Sequence, residues 1–266
     1  MLYKTHAIAI IAALGLQVTT CNADDNNEIS VDENAQETSQ DTHWSYEGDT
    51  GPEHWGSLSE EYAACATGKK QSPINIVDST TAADLPPLEF NYTPIPLVIE
   101  NNGHTVEMTA DEAGSLKMGD ETYQLLQFHT HTPSEGAVND IRSDMVIHLV
   151  HQNDQDKIAV VALFLKVGEV ANPLIETLWN VMPTTVVEPQ KHDVQIDINQ
   201  LLPKDRNYYN YDGSLTTPPC TEGVNWIVLK QPMSISTEQL KQYQAVYSHN
   251  ARPLQDLNDR KVLSSD

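Results

Sequence analysis

From Thr42 onward the chain alternates apolar and polar positions in short runs separated by turn signals, which is the period-2 signature of strands. Tyr123 to His131 and Met145 to His151 read as two strands rich in Leu, Val, Ile, Phe and Thr. Pro133 to Arg142, carrying Gly136, Asn139 and Asp140, reads as the turn between them. Further turns fall at Asn101-Asn102-Gly103, Met118-Gly119-Asp120 and Asp212-Gly213. Helical period is scarce. It is clearest over Leu174 to Asn180, with Asn172 placed to cap and Pro173 at the first helical position, and over Ser236 to Tyr247. No internal repeat is present. The pattern predicts a mainly β (α+β) architecture in which short helices are peripheral to a sheet.

Of 266 residues the first forty are dispensable for such a fold, leaving about 225 for one large core. Met1 to Ala23 has a single Lys4, an apolar run from Ala7 to Leu16 and then small and polar residues, the layout of a secretory signal peptide and too short for a membrane span. Cleavage after Ala23 is one expectation, and lipidation of Cys21 is the other. Residues 24–41 are acidic, poor in large apolar residues and without period, as in a solvated tether. Residues 42–266 form the expected domain. The net charge of −23, from 38 acidic and 15 basic residues, argues against nucleic acid and anionic membranes as partners. In an exported chain, Cys65 and Cys220 suggest one disulfide, the alternative being two buried thiols. Location then implies the periplasm, with secretion or lipid anchoring as alternatives.

His129-Thr130-His131, followed by His148, carries the chemistry. Alternate residues of a strand share a face, so His129 and His131 point together, and a return strand can bring His148 beside them. One H-x-H alone is equally a polar strand edge or a satisfied core pair. Three imidazoles on neighbouring strands are harder to explain by packing. A three-histidine set leaves zinc's fourth position open, the arrangement of a catalytic site.

The chain resembles the alpha-class carbonic anhydrases of the bacterial, exported type. The resemblance is carried in order by His43-Trp44-Ser45-Tyr46, Gly51-Pro52-Glu53-His54-Trp55, Gln71-Ser72-Pro73-Ile74-Asn75-Ile76, Asn101-Asn102-Gly103-His104 and Gln127-Phe128-His129-Thr130-His131. It continues through Pro133-Ser134-Glu135, His148-Leu149-Val150-His151, Gly213 to Cys220, Trp226 to Lys230 and Asn250-Ala251-Arg252-Pro253. It implies a large, twisted, mostly antiparallel central sheet, one Zn2+ held by His129, His131 and His148 at the base of a conical cleft, and attack of zinc-bound hydroxide on carbon dioxide to give bicarbonate and a proton. That zinc lowers the pKa of bound water toward 7 is an effect for which carbonic anhydrase is itself the standard example.

By the same resemblance, Thr216 and Glu135 orient the nucleophile, Gln127 orients His129, and His104 shuttles the proton. Tyr46 and Asn102 order the water network. Val150, Val160, Leu215, Thr217 and Trp226 line the substrate pocket, although read singly they are core positions. His151 lies on the other strand face and is structural. The implied partner is a small-molecule substrate, carbon dioxide or bicarbonate, with the protein a monomer or homodimer.

One departure stands out. Where the family has a glutamate that accepts a hydrogen bond from the third zinc histidine, this chain has Val146, and a histidine of the same network is replaced by Gly136. Asp144 shares strand parity with His148 but lies about 13 Å along the strand, too far to substitute. A carbonic-anhydrase-like binding protein with reduced or lost turnover is therefore the alternative function. A cupin reading, from His129, His131 and Glu135 in H-x-H-x3-E spacing, finds no support elsewhere, since Tyr123 stands where that pattern wants glycine.

Overall fold

The computed structural model describes residues 43–82 and 84–266. The expected signal peptide over 1–23, the tether over 24–41 and Cys21 lie outside them.

The strands that build the site are β1 (Leu88–Tyr92), β2 (Ile95–Asn101), β3 (Val106–Thr109), β4 (Gly114–Met118), β5 (Glu121–His131), β6 (Met145–Gln152), β7 (Ile158–Val167), β8 (Val187–Ile196), β9 (Tyr208–Ser214), β10 (Glu222–Leu229) and β11 (Met233–Ile235). They belong to one 13-stranded sheet whose main path runs β8-β2-β3-β5-β6-β7-β10-β9 and then through the short pairs Leu263–Ser264 and Thr80–Thr81. Most neighbours are antiparallel; β7 pairs in parallel with β10 and β11. The mainly β expectation holds.

β6 is buried along nearly its whole length because it is covered on both faces. Met145, Ile147 and Leu149 enter the main core, while Val146 and Val150 join a second apolar cluster on the opposite face. β5 reaches the same result by another route. Its register against β6 shifts between Leu125 and Gln127, which is a bulge at Leu126. The extra residue changes the parity of the strand, so Tyr123, Leu125 and Phe128 all enter the main core and Gln127, His129 and His131 face the other way. Phe128 is fully buried, and truncating such a residue costs about 3 to 5 kcal/mol.

The helices are short and peripheral. They include α1 (Trp55–Leu58), α2 (Ala64–Thr67), α3 (Pro173–Trp179) and α4 (Thr237–Gln244). Asn172 caps α3 through its side chain, and Ser236 with Gln239 forms a capping box on α4. Gln239 also joins the two caps: its Oε1 accepts from Asn172 N at 2.9 Å and its Nε2 donates to Asn172 O at 2.7 Å. The expected turn from Pro133 to Arg142 includes a strand fragment that its turn residues hid, since Ala137–Val138 pairs in parallel with Asn75–Ile76. Asn139 and Asp140 there adopt φ of 49° and 65°, a region these short polar side chains tolerate.

Candidate metal centre

The three histidines converge as strand parity requires. His129 lies directly opposite His148 in the β5–β6 pair, and His131 opposite Val146. One nitrogen from each ring lies within 4.8 Å of the others. His131 Nε2 is buried without a hydrogen-bond partner, an orphan lone pair whose cost a cation would remove, and His148 Nε2 is likewise buried without a partner. Burial and the neighbouring imidazole hold the pKa of His129 well below its ordinary value; for His148, burial and both neighbours act the same way. Each is therefore kept in the neutral form that ligates a metal. Three nitrogens with a fourth position to spare fit zinc.

The backbone between the ligands is tied from three sides. The Thr130 carbonyl accepts from Thr105 Oγ1 at 2.6 Å, Tyr243 OH at 2.7 Å and Asn250 Nδ2 at 3.0 Å. The rings are fixed too. His129 Nδ1 donates to Gln127 Oε1 at 2.7 Å, and His131 Nδ1 donates to the Asn250 carbonyl at 2.7 Å. His148 makes no side-chain hydrogen bond among the described residues, and Val146 beside it is completely buried. The Asp144 carboxylate is engaged elsewhere, accepting from Val167 N at 2.7 Å.

The family model for eukaryotic-type carbonic anhydrase matches residues 50–266. A carbonic anhydrase of Klebsiella pneumoniae is 44% identical over 225 residues, which cover 84% of this chain and 91% of that protein. One from Neisseria gonorrhoeae is also 44% identical, with coverage of 84% and 88%. The solved alpha-carbonic anhydrase of Thermovibrio ammonificans, a complex with the inhibitor sulfanilamide, superposes with a TM-score of 0.79 at 43% identity, covering 84% of this chain and 99% of that one. The chain belongs to the alpha-carbonic anhydrase family.

Other residues matched to the family's roles are assembled to different degrees. Glu135 is buried beside His131, its Oε2 lying 3.6 Å from His131 Nε2 and having no hydrogen-bond partner, while its Oε1 accepts from Arg252 N at 2.7 Å. Thr216 is buried, yet no hydrogen bond joins it to Glu135 among the described residues. His104 is half-buried and stacks on Trp44, with ring centroids 3.6 Å apart and planes within 8°; His43 lies 6.0 Å beyond. Burial first, then His43, lowers the His104 pKa. Asn102 Oδ1 accepts from His104 N and Thr105 N, both at 3.0 Å, and so shapes the turn that presents His104. The Tyr46 hydroxyl is buried without a partner, and burial, then the Glu135 carboxylate, pushes its pKa up. Val150, Val160, Leu215 and Trp226 share one apolar cluster, and Thr217 is half-buried.

Cys65 and Cys220 form the expected disulfide, and His151 is buried with Nε2 2.6 Å from Tyr92 OH. A cavity of about 550 Å3 lined by Lys69, Lys70, Tyr211, Asp212 and Arg260 includes none of the histidines, so residue chemistry and not cavity size marks the site.

Four contributors were not assigned roles from sequence. Asn250 supplies a main-chain acceptor, which no side-chain pattern announces. Arg252 is buried, giving its backbone to Glu135 and its guanidinium to Gln71 Oε1, Ser72 O and Cys65 O. Trp44 supplies the stacking surface for His104. Glu107 is the cross-strand partner of His129, and burial with neighbouring Glu100 pushes its carboxyl up to about 7. No local signal singles it out, since a polar residue between Val106 and Met108 is ordinary strand alternation.

Proposed function

We propose that this protein catalyses the reversible hydration of carbon dioxide to bicarbonate and a proton, with one zinc ion held by His129, His131 and His148. The convergence of three imidazole nitrogens within 4.8 Å, in a chain of this family, carries the reading. Bound zinc supplies Lewis acidity that makes water a nucleophile near neutral pH, carbonic anhydrase being the standard example.

The chain's own residues do the rest. Glu135 has one oxygen held by the Arg252 amide and one free to accept from Thr216. A threonine hydroxyl that has given its hydrogen to a carboxylate can only accept from the reacting water, which turns the water's lone pair toward carbon. Val150, Val160, Leu215, Thr217 and Trp226 offer a mostly apolar wall suited to a nonpolar gas. Gln127 fixes the His129 tautomer. His104, kept neutral by burial, accepts the proton through water ordered by Tyr46 and Asn102 and passes it outward.

The protein acts outside the cytoplasm. Residues 1–23 serve as the signal peptide, 24–41 as a tether and 42–266 as the catalytic domain, in the periplasm or lipid-anchored through Cys21. A disulfide between Cys65 and Cys220 supports an oxidising compartment, and no helix among the described residues is long and apolar enough to cross a membrane.

Stopped-flow carbon dioxide hydration on purified protein, before and after chelation and zinc restoration, tests the reading. Zinc-dependent hydration is expected. Zinc uptake without hydration above buffer would leave the binding-protein alternative.

A further inference from the structure

The three imidazoles are not held alike. Two donate a ring hydrogen at 2.7 Å to an oxygen behind them, a side-chain amide for His129 and a main-chain carbonyl for His131. His148 has no such acceptor among the described residues: whichever of its nitrogens faces the metal, the other has no protein partner. We propose that His148 is positioned by an apolar clamp, with Trp226 and Val146 as the positioning residues, and that it is the ligand through which the metal escapes. This rests on the reading of the site as a zinc centre.

The clamp is built from β6 itself and from β7 and β10 beside it. Val146 precedes His148 by two residues on the same face, and Ala162 of β7 lies directly opposite His148. Val146, Val160, Ala162, Phe164 and Trp226 form one buried cluster, and none of these side chains can accept a hydrogen bond. The indole of Trp226 meets the imidazole edge-on, with centroids 4.9 Å apart and planes at 78°. The indole is itself locked. Its Nε1 donates to Ser214 O at 2.9 Å, and the Tyr211 ring stacks at 6.1 Å and 9°. Gly213 admits it, since a Cβ there would stand 2.6 Å from Trp226 Cδ1.

Packing of this kind restricts the ring plane, but it neither selects a tautomer nor raises ligand basicity, both of which an outer acceptor does. His148 therefore has orientation without the second contribution, and the bond it makes is the one that opens first. A supplied acceptor and the indole clamp should then compensate for each other, which separates this account from a merely structural role for Trp226.

The experiment measures zinc release from the holoprotein into excess chelator, in wild type, Val146→Gln, Trp226→Leu and the double variant, with thermal unfolding recorded for each. Val146→Gln should slow release by about 10- to 100-fold, and Trp226→Leu should speed it by about tenfold or more. The double variant should return toward wild type. Should a variant fail to fold, nitrogen-15 NMR of wild-type holoprotein decides: the ring N–H of His148 should resonate upfield of those of His129 and His131, as an N–H without an acceptor does. Release from Val146→Gln at the wild-type rate, no rescue in the double variant, or a His148 N–H signal alongside the other two overturns the proposal. A protein that takes up no zinc overturns instead the metal-site reading beneath it.

Discussion

Lowering the pH should destabilise this protein through a buried histidine outside the metal-ligand set. His151 is completely buried, its Nδ1 lies 3.3 Å from the Ala159 carbonyl, and its Nε2 lies 2.6 Å from Tyr92 OH. Burial pushes the Tyr92 phenol up, so it remains a donor, Nε2 accepts and Nδ1 donates, a pairing only the neutral ring can complete. Burial lowers the His151 pKa to about 4, against the backbone hydrogen bonds that raise it. In the unfolded chain it returns to about 6.5. Between these values the unfolded state binds the extra proton. Stability from keeping the ring neutral is thus whole above pH 6.5, falls as pH drops through the interval, and is gone below about 4. At about 1.4 kcal/mol for each tenfold change, the interval is worth roughly 3 kcal/mol. Urea unfolding between pH 7.5 and 4, comparing wild type with His151→Gln, isolates this loss from that of other titrating groups. The wild type should lose roughly 3 kcal/mol more than the variant. Parallel stability curves would refute the reasoning.

Two further outcomes are open to direct measurement. Cys65→Ser with Cys220→Ser removes a cross-link spanning 155 residues, worth about 5 kcal/mol in the chain-entropy treatment, so the urea midpoint should fall sharply while a reductant ceases to have an effect; an unchanged midpoint refutes it. His104→Ala should lower the maximal hydration rate at low buffer concentration and recover in imidazole buffer, whereas a loss that imidazole leaves untouched removes His104 from the proton path.

The sequence displayed the parts of this fold that depend on local chemistry. The caps at Asn172 and Ser236, the paired faces of His129 and His131 and the return of His148 all follow from side-chain type and period. What escaped it depends on residues distant in the chain or on groups with no side-chain signature. The Asn250 carbonyl meets His131 across 119 positions, and nothing in an asparagine says its backbone will be the acceptor. The Ala137–Val138 fragment was masked by the turn residues around it, because its pairing with Asn75–Ile76 is decided by tertiary packing. Glu107 fits the ordinary alternation of a strand, and only the register against His129 places it on the histidine face.

The bulge at Leu126 has a consequence for how this enzyme can vary. A regular strand locks all its positions to one phase, so a change of phase anywhere inverts every face. Here the strand is in effect two half-strands out of step, joined at a single residue, with Tyr123 and Leu125 in one frame and Phe128 and the metal ligands in the other. Point changes on either side stay within their own frame. Loss or gain of one residue at the joint would turn both imidazoles of β5 into the main core and Phe128 toward the metal in a single step. Length at that joint, more than residue identity, is what the site can least surrender.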